Sequence, residues 1–429
     1  MITHRSGGKG FAMQGHGQGL GVRDLRLFRA VGFFLVPSLF AGVLACRDDA
    51  RWTTGPTSEP ALAAATVTTL LFSQVSAGLQ HTCGITSGAR AYCWGSNPQA
   101  ELGNGTTAGP ETCPATDGHP AFACSTRPVA VQWDHGFRQI SAGARHTCGV
   151  TDDNRLYCWG ANGRGELGDG TTTLRASPVV VGRGLRFRQV DAGGQHTCAV
   201  TTDNIVYCWG LNVYGELGDG TVSFFRSTPA PVVGGHLFRQ VTVGDFHTCG
   251  VTTSDAVFCW GSNREGQVGD SSTAGRRPRP RQVAGGHQFR QADAGGSHTC
   301  AVTTDSRAFC WGDGRLGQLG NGKTNLSFWP RAVSGRLSFD RVSAGGEHTC
   351  GETTANQAYC WGYITSLSKD LTPVAVAGGL SVAQVSAGGG HACGKTDGGV
   401  VYCWGGNDTG QLGDGTTTDR PAPTLVVAP

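Results

Sequence analysis

The third of seven copies of one repeated segment reads His196-Thr197-Cys198-Ala199-Val200-Thr201-Thr202-Asp203-Asn204-Ile205-Val206-Tyr207-Cys208-Trp209-Gly210. In every copy the two cysteines are ten residues apart, a His lies two residues before the first, and Trp-Gly follows the second. The pairs are Cys83 with Cys93, Cys148 with Cys158, Cys198 with Cys208, Cys249 with Cys259, Cys300 with Cys310, Cys350 with Cys360, and Cys393 with Cys403. Consecutive first cysteines are separated by 65, 50, 51, 51, 50 and 43 residues. A period near 50 indicates one supersecondary unit that is repeated along the chain.

Each repeat consists of short runs with β-strand character. In the third copy these runs are Pro178–Val181, Phe187–Ala192, Thr197–Thr201 and Ile205–Trp209, and each is bounded by Gly, Asp or Asn. Glycine accounts for 69 of 429 residues, and no long stretch has apolar residues at helical spacing. The sequence therefore predicts an all-β repeat protein of the propeller type rather than a helical solenoid.

The paired cysteines predict a disulfide in each copy. A hairpin with the loop Thr202-Asp203-Asn204 places Cys198 opposite Cys208, and opposed Cα atoms lie about 4.5 or 5.5 Å apart, which a disulfide accepts. His196 and the two cysteines would also supply three zinc ligands, but seven sites without a fourth ligand favour the disulfide. Reduced, buried thiols are the third alternative. We predict seven such bridges, an eighth between Cys113 and Cys124, and no metal or cofactor.

The recurring histidines do not single out a catalyst. They are His81, His146, His196, His247, His298, His348 and His391. Because the same position is occupied in every copy, we expect them to hydrogen-bond a neighbouring strand. The sequence has no Gly-x-Ser-x-Gly elbow, phosphate loop or His-Glu-x-x-His motif, and its Asp-Gly turns offer too few oxygen ligands for calcium. We therefore predict a protein without catalytic residues.

The N-terminus differs from the repeats. Basic residues precede an apolar run from Ala30 to Ala45, an order that is typical of a secretory signal. The run ends in Val43-Leu44-Ala45-Cys46, which is similar to the bacterial lipobox, where the cysteine becomes the lipidated first residue. We predict a signal peptide over residues 1–45 (with Met13 as an alternative start), lipidation of Cys46, a flexible tether over 46–66 and a folded body over 67–429. Ordinary signal cleavage or an uncleaved anchor is the alternative.

The charge balance bears on location and partners. The chain has 34 basic and 31 acidic residues, a net charge of +3, of which residues 1–45 contribute five basic residues and one acid. Subtracting +4 from +3 leaves the rest of the chain at −1, so no bulk attraction draws it to nucleic acid. Together with the paired cysteines, the signal predicts an exported monomer, secreted or attached to the bacterial envelope only through its lipid, with no nucleic-acid partner.

Several motifs repeat in register and resemble the RCC1 repeat family. They are Phe-x-Gln-Val-x-Ala-Gly-x-x-His-Thr-Cys, Trp-Gly-x-Asn-x-x-Gly-Glu-Leu-Gly-Asp-Gly and a following Pro-Val-x-Val, and they cover roughly residues 70–429. The resemblance implies a seven-bladed β-propeller of four-stranded antiparallel blades. The last such strand, Pro423–Val427, has no Phe-x-Gln-Val of its own, and Thr68–Ala77 supplies one. We therefore expect strands from both termini to close the ring in one blade, which removes exposed sheet edges.

Two copies depart from the pattern, and irregular loops are reasonable places to look for function. The first carries an insertion, Pro110 to Arg127, that contains Cys113 and Cys124. The sixth, over Trp361 to Pro373, lacks the Asn-x-x-Gly-Gln-Leu-Gly-Asp-Gly segment.

Positions that vary between copies are the best candidates for a binding surface. The residue before the recurring His is Gln80, Arg145, Gln195, Phe246, Ser297, Glu347 or Gly390, and we expect it to face solvent. Aromatic and apolar residues gather in the loops nearby, namely Val213, Tyr214, Phe224, Phe225, Phe246, Phe328 and Trp329. Such clusters are typical of protein-binding hot spots. The alternative is that Phe224 or Phe328 packs beneath its own loop.

These observations favour a module that binds a protein or surface ligand at the bacterial cell envelope. Nucleotide exchange on a small GTPase, which the family's eukaryotic founder implies, is weakened by the signal, the disulfides and the lack of a basic surface. Inhibition of a secreted enzyme is a further alternative, because a bacterial β-lactamase inhibitor shares this propeller.

Overall fold

The computed structural model describes residues 70–429 except 115–119 and 365–367. The predicted signal, the tether and Cys46 lie outside the described residues. Among the described residues, no helix has the length and hydropathy needed to cross a membrane.

Within this described part, 29 strands form seven antiparallel sheets, each of which is one propeller blade. Blade 1 contains β1 (Phe72–Ala77), β2 (His81–Thr86), β3 (Ala91–Ser96), β4 (Glu111–Cys113) and β5 (Phe122–Ala130). Blade 2 contains β6 (Phe137–Ala142), β7 (His146–Thr151), β8 (Leu156–Gly160) and β9 (Arg175–Val181). Blade 3 contains β10 (Phe187–Ala192), β11 (His196–Thr201), β12 (Val206–Leu211) and β13 (Phe225–Pro231). Blade 4 contains β14 (Phe238–Val243), β15 (His247–Thr252), β16 (Val257–Ser262) and β17 (Arg276–Gln282).

The remaining blades follow the same plan. Blade 5 contains β18 (Phe289–Ala294), β19 (His298–Thr303), β20 (Ala308–Gly312) and β21 (Ser327–Ala332). Blade 6 contains β22 (Phe339–Ala344), β23 (His348–Thr353), β24 (Ala358–Ile364) and β25 (Ser368–Ala375), and a short 3₁₀ helix (Ala377–Gly379) follows it. Blade 7 contains β26 (Gln384–Ala387), β27 (His391–Lys395), β28 (Val401–Gly405) and β29 (Arg420–Leu425). The strands of each blade pair in chain order, except that β5 lies between β3 and the additional strand β4. The predicted seven-bladed, four-stranded architecture is confirmed.

The cysteine hairpin has the predicted register. Val200 is opposite Val206, Ala199 is opposite Tyr207, and Cys198 is opposite Cys208. In every blade the same pairing sets the two cysteines of the repeat side by side on adjacent strands, with Cα atoms 4.0–4.1 Å apart. The hairpin therefore brings each pair within reach of a disulfide.

Eight disulfides form among the described residues. Seven join the cysteines of one repeat: Cys83 to Cys93, Cys148 to Cys158, Cys198 to Cys208, Cys249 to Cys259, Cys300 to Cys310, Cys350 to Cys360, and Cys393 to Cys403. The eighth joins Cys113 to Cys124 at a Cα distance of 5.7 Å and links β4 to β5 within the insertion of blade 1. All eight predicted pairs are confirmed, and the alternatives of zinc ligands and reduced thiols at these cysteines are wrong.

The ring is closed by segments from both termini, but they do not share a blade. Leu425 is opposite Tyr402, so the last strand completes blade 7, whereas β1 begins blade 1. The expectation of one shared blade is wrong because the Pro-Val-x-Val strand pairs with the Cys-Trp strand before it rather than with the Phe strand after it. Closure comes from contacts between the two blades: Gln384 Nε2 donates to Val75 O at 2.8 Å, and Ala77 N donates to Ser386 Oγ at 3.0 Å.

A loop from each regular blade reaches the next blade and fixes the interface between them. In blade 3, Glu216 O accepts hydrogen bonds from Trp260 Nε1 at 2.8 Å and from Thr248 Oγ1 at 2.9 Å, both in blade 4. Gly218 has a φ of +64° and touches the same indole: a Cβ there would lie 2.7 Å from Trp260 Nε1. A side chain at this position would therefore suffer both backbone strain and a collision. This packing explains the recurring Gly-Glu-Leu-Gly segment.

Candidate functional site

The central channel is lined at one position of the repeat by Ser76, Ser141, Asp191, Asp293, Ser343 and Ser386. Blade 4 has the buried Thr242 at this position. Each of these seven residues accepts a hydrogen bond from a backbone N–H of the next blade, for example Asp191 Oδ2 from Val243 N at 2.7 Å and Asp293 Oδ2 from Ala344 N at 3.0 Å. The ring of acceptors holds the seven inner strands together.

The two channel carboxyl groups hold protons more tightly than free aspartates do. Burial, followed by repulsion from Asp293, raises the pKa of Asp191 to about 7, and burial raises the pKa of Asp293 to about 6. Asp191 Oδ1 also accepts from Ser141 Oγ at 2.8 Å, and Asp293 Oδ1 accepts from Thr242 Oγ1 at 2.8 Å. With both oxygens engaged in bonds between blades, these groups act as structural links.

The recurring histidines lie in the interfaces between blades. His196 is fully buried, and its Nε2 lies 2.8 Å from Thr248 Oγ1 of the next blade. Burial lowers the pKa of all seven from 6.5 to about 3 or about 4. A neutral, enclosed imidazole in this position builds the repeat. The described residues contain no group of three or more His, Cys, Asp or Glu placed to hold a metal ion.

A cleft of about 490 Å³ opens beside the channel mouth. Its lining includes Leu79, Arg145, Arg164, Gln195, Asp245 and Phe246. Three of these, Arg145, Gln195 and Phe246, immediately precede a recurring histidine. That position is exposed in five copies and half-exposed at Ser297 and Gly390. The copies therefore differ most on the face around the channel mouth.

Aromatic rings and arginines from consecutive blades pack against two residues that line this cleft, Arg164 and Phe246. Tyr214, in the loop between β12 and β13, meets Phe246 of blade 4 edge-on with ring centroids 5.9 Å apart. The Arg264 guanidinium lies 4.9 Å from the Tyr214 ring centroid. The Arg164 guanidinium of blade 2 lies 4.6 Å from the centroid of Phe224. We call Arg164, Tyr214, Phe224, Phe246 and Arg264 the channel-mouth patch.

The predicted binding residues divide into two groups. Phe224 is 57% exposed, so the alternative in which it packs beneath its loop is wrong; it touches Phe225, which is 37% exposed. Val213 and Tyr214 are half-buried, and Phe246 is 38% exposed. Phe328 and Trp329 belong to β21 in blade 5; Phe328 is half-buried, whereas Trp329 is 42% exposed and lies beneath the Arg331 guanidinium at 4.4 Å.

Sequence reasoning missed the basic members of the patch. Arg164 is 60 residues away from Phe224, and only the stacking of blade 2 against blade 3 brings them together. Arg264 follows Asn263, a residue of the repeated frame, and this place within the repeat was the available signal for it. Comparing the copies identifies the place of each arginine in the repeat but does not show which aromatic ring its guanidinium covers.

Comparisons with known proteins identify the family. A family described as RCC1-like domain matches residues 41–368, and RCC1 repeats match residues 382–411 and 398–429. The ultraviolet-B receptor UVR8 of Arabidopsis thaliana is 31% identical over 253 residues, 58% of this chain and 43% of that protein. The chain spans less than half the length of the curated relatives that it matches.

Two solved structures share the fold. Human WBSCR16 has a TM-score of 0.71 at 22% identity, with 79% of this chain and 94% of that chain covered. Prp20p of Saccharomyces cerevisiae has a TM-score of 0.66 at 20% identity, with 83% and 87% covered. The seven blades and the extent of the family match lead to one conclusion. The chain belongs to the family of RCC1-like domains.

Proposed function

We propose that this propeller is a non-catalytic module that binds a protein partner through the channel-mouth patch. The single observation that carries the proposal is the contact of Tyr214 with Phe246 and Arg264 at the edge of a cleft. This cluster is assembled from two blades, so the rigid ring holds it in place before any partner arrives.

The composition of the patch suits protein recognition. Tyr and Arg dominate binding hot spots, and a ring that is already packed loses little side-chain freedom on association. The two guanidinium groups lie over aromatic faces, which fixes their position and leaves donors for carboxylates or carbonyl groups of a partner. The adjoining cleft would accommodate a protruding side chain.

A relative supports a protein partner. The Prp20p structure was described together with binding to Gsp1p and histones, and Prp20p has the same fold. We infer that this chain also uses its propeller to bind a protein, and we leave nucleotide exchange and enzyme inhibition as narrower alternatives.

We place the protein outside the cytoplasm, as a lipoprotein of a bacterial envelope or as a secreted protein. Eight disulfides in one chain favour an oxidising compartment. The sequence before Cys46 has the order of a signal peptide with a lipobox-like end. Metabolic labelling with radioactive palmitate should tag the protein and leave Cys46→Ala unlabelled; equal labelling of both would contradict the anchor.

A cross-linking pull-down from envelope extract tests the binding proposal. Tyr214→Ala/Phe246→Ala should lose partners that the wild type recovers. The control is Leu71→Ala/Leu237→Ala, which removes two exposed apolar side chains elsewhere (46% and 50% exposed). Equal recovery by all three proteins would rule out the patch as a binding site. Accelerated release of a labelled guanine nucleotide from a recovered GTPase would redirect the proposal to exchange.

A further inference from the structure

The outer strand of blade 4 is unlike that of every other blade. It reads Arg276-Arg277-Pro278-Arg279-Pro280-Arg281-Gln282 and lies at the edge of its sheet, paired only with β16. Arg277 is opposite Gly261, and Arg281 is opposite Cys259. Because this Gly and this Cys recur in every blade, the residues opposite them in the other outer strands are the structural equivalents of Arg277 and Arg281. The copies can therefore be compared position by position, which separates arginines that build the repeat from arginines that do not.

Arg277 builds the repeat. Its Nε lies 2.5 Å from Asp270 Oδ2. The equivalent residues make the same ion pair in other blades: Arg175 with Asp169 at 2.9 Å and Arg420 with Asp414 at 2.7 Å. This arginine closes the Asp-Gly turn of its own blade and is not available to a partner.

The other three arginines of the strand have no such task. Arg276, Arg279 and Arg281 are exposed, and within the described residues their side chains make no hydrogen bond or ion pair. Arg281 lies opposite the second cysteine of its repeat. In blades 1, 2 and 3 the residue at this position is Val129, Val179 and Ala230, respectively, and each of them faces the core or is buried. Arg279 packs against Gly220 of blade 3, as the equivalent Arg127 packs against Gly415 of blade 7, but this packing neutralises none of the three charges.

Blade 5 carries an arginine at the equivalent position of its outer strand. Arg331 is opposite Cys310, as Arg281 is opposite Cys259, and it lies over the exposed ring of Trp329. In the described part of the chain, Arg331 has no carboxylate partner either; its Nε donates to Ser327 Oγ at 3.3 Å. We call Arg276, Arg279, Arg281, Trp329 and Arg331 the basic rim.

We propose that the basic rim binds an acidic segment of a protein, at a surface separate from the channel-mouth patch. Guanidinium groups pair with carboxylates in a planar, two-bond geometry, and the exposed indole offers an apolar contact between the charges. Pro278 and Pro280 have no backbone N–H, so another strand cannot pair fully along this edge. Recognition must therefore come from the side chains. The near-neutral chain lacks the broad positive field with which nucleic-acid-binding proteins attract phosphates, and this favours a short acidic peptide over a long polyanion.

Fluorescence anisotropy with a labelled oligoglutamate peptide tests this inference on the full chain. At about 0.05 M salt, where exposed charges are weakly screened, the wild type should bind the peptide. Arg276→Gln/Arg279→Gln/Arg281→Gln should weaken binding about tenfold, because three charge-assisted contacts are lost. Trp329→Ala should weaken it less and leave the salt dependence unchanged.

The control is Arg90→Gln/Arg183→Gln/Arg186→Gln, which removes the same charge from three exposed arginines, one in a loop of blade 1 and two in the loop between blades 2 and 3. Its affinity should stay within about twofold of wild type, since surface charges beyond a Debye length are screened. Failure of the wild type to bind, or equal weakening by both triple variants, would overturn the proposal. Tighter, rim-dependent binding of oligothymidylate or a sulfated oligosaccharide would also overturn it, in favour of a nucleic acid or glycan. Because the rim and the channel-mouth patch share no residue, either can fail while the other stands.

Discussion

At the scale of single residues, the recurring histidine and threonine are partners across blades. His196 Nε2 and Thr248 Oγ1 lie 2.8 Å apart, and Thr248 Oγ1 donates to Glu216 O at 2.9 Å. The ring nitrogen therefore donates to the hydroxyl, and the hydroxyl passes a hydrogen bond on to the loop. One buried hydroxyl connects a strand of blade 3, a strand of blade 4 and the loop between β12 and β13 of blade 3.

Thr248→Ala should lower the free energy of unfolding by about 1–3 kcal/mol, because a buried imidazole N–H then lacks its acceptor. Urea denaturation with the disulfides intact measures the change. Thr248→Ser keeps the hydroxyl and is the matched control, so it should lose less. If both variants lose the same free energy, the methyl group rather than the hydrogen bond is responsible.

At the scale of elements, one junction lacks this connection. Blade 6 lacks the long loop of the repeat: three residues separate β24 from β25, and Ile364 is opposite Ser368. No described loop carbonyl accepts from the Trp404 indole, and blade 7 has Ala392 where other blades have Thr, so the His348 ring meets no threonine hydroxyl there. The two departures occur at one junction: the loop segment that accepts from the threonine in other blades is missing from the sequence of blade 6, and the threonine is missing from blade 7.

Replacing the indole by a phenyl ring should therefore have unequal effects at two junctions. Trp260→Phe removes the 2.8 Å bond to Glu216 O as well as apolar contact, whereas the Trp404 indole makes no such bond to a described residue, so Trp404→Phe removes contact alone among them. We expect the free energy of unfolding to fall by about 1 kcal/mol more for Trp260→Phe, the net contribution of one hydrogen bond. Equal losses in chemical denaturation would contradict this account of the junction between blades 6 and 7.

At the scale of the whole molecule, the seven buried histidines predict stability that depends on pH. Their pKa values are about 3 or about 4 in the fold and 6.5 when free. The unfolded chain therefore binds protons below pH 6.5 that the folded chain does not bind. Each histidine contributes its full stability above its free pKa and loses about 1.4 kcal/mol per pH unit below it.

Eight carboxyl groups act in the opposite direction, because burial raises their pKa: Glu101, Glu166, Asp191, Glu216, Asp245, Asp293, Glu352 and Asp408. Burial raises the pKa of Glu101 and Asp191 to about 7 and that of Asp293 to about 6, so the folded chain takes up these protons first and gains stability as pH falls. The seven histidines all begin to titrate in the unfolded chain at the upper end of the range from about pH 6.5 to about pH 4.5, so we expect them to outweigh the carboxyl groups there and the melting temperature to fall as pH decreases below about 6.5. Calorimetry across this range measures the slope. Asp191→Asn removes one opposing group and should make the fall steeper; a flat profile in the wild type would contradict the prediction.

The repeat is the part of the structure that the sequence predicts well. Cysteines ten residues apart imply a short hairpin, and a hairpin with a three-residue loop has one register that brings Cys198 opposite Cys208. Local geometry and sevenfold recurrence thus predict the hairpin and its disulfide, and the resemblance to RCC1 repeats implies seven four-stranded blades, with which the seven copies agree. The sequence does not predict which blade each terminus completes, because a short β-run can pair with the strand before it or the strand after it. The alternation of apolar and polar residues within the run is the same in both pairings.

The binding surfaces are predictable only in part. The aromatic residues stand out in the sequence because they interrupt the repeat, as Phe246 does before His247. Their basic partners do not stand out, because Arg164 and Phe224 belong to different blades. The meaning of Arg281 likewise appears only when the register places it opposite Cys259, at the position where Val129 and Val179 pack inward.

The sequence by itself determined the repeating unit, because hairpin formation depends on residues close together in the chain, and the same cysteine spacing recurs in every copy. Only the tertiary structure decided which strand completes each blade, which arginine lies over which ring, and which charges are left without partners. These features depend on contacts between residues about 50 positions apart, where stacking of whole blades sets the distance. The sequence therefore specifies the frame, and the assembled ring creates the surfaces through which we propose that it binds.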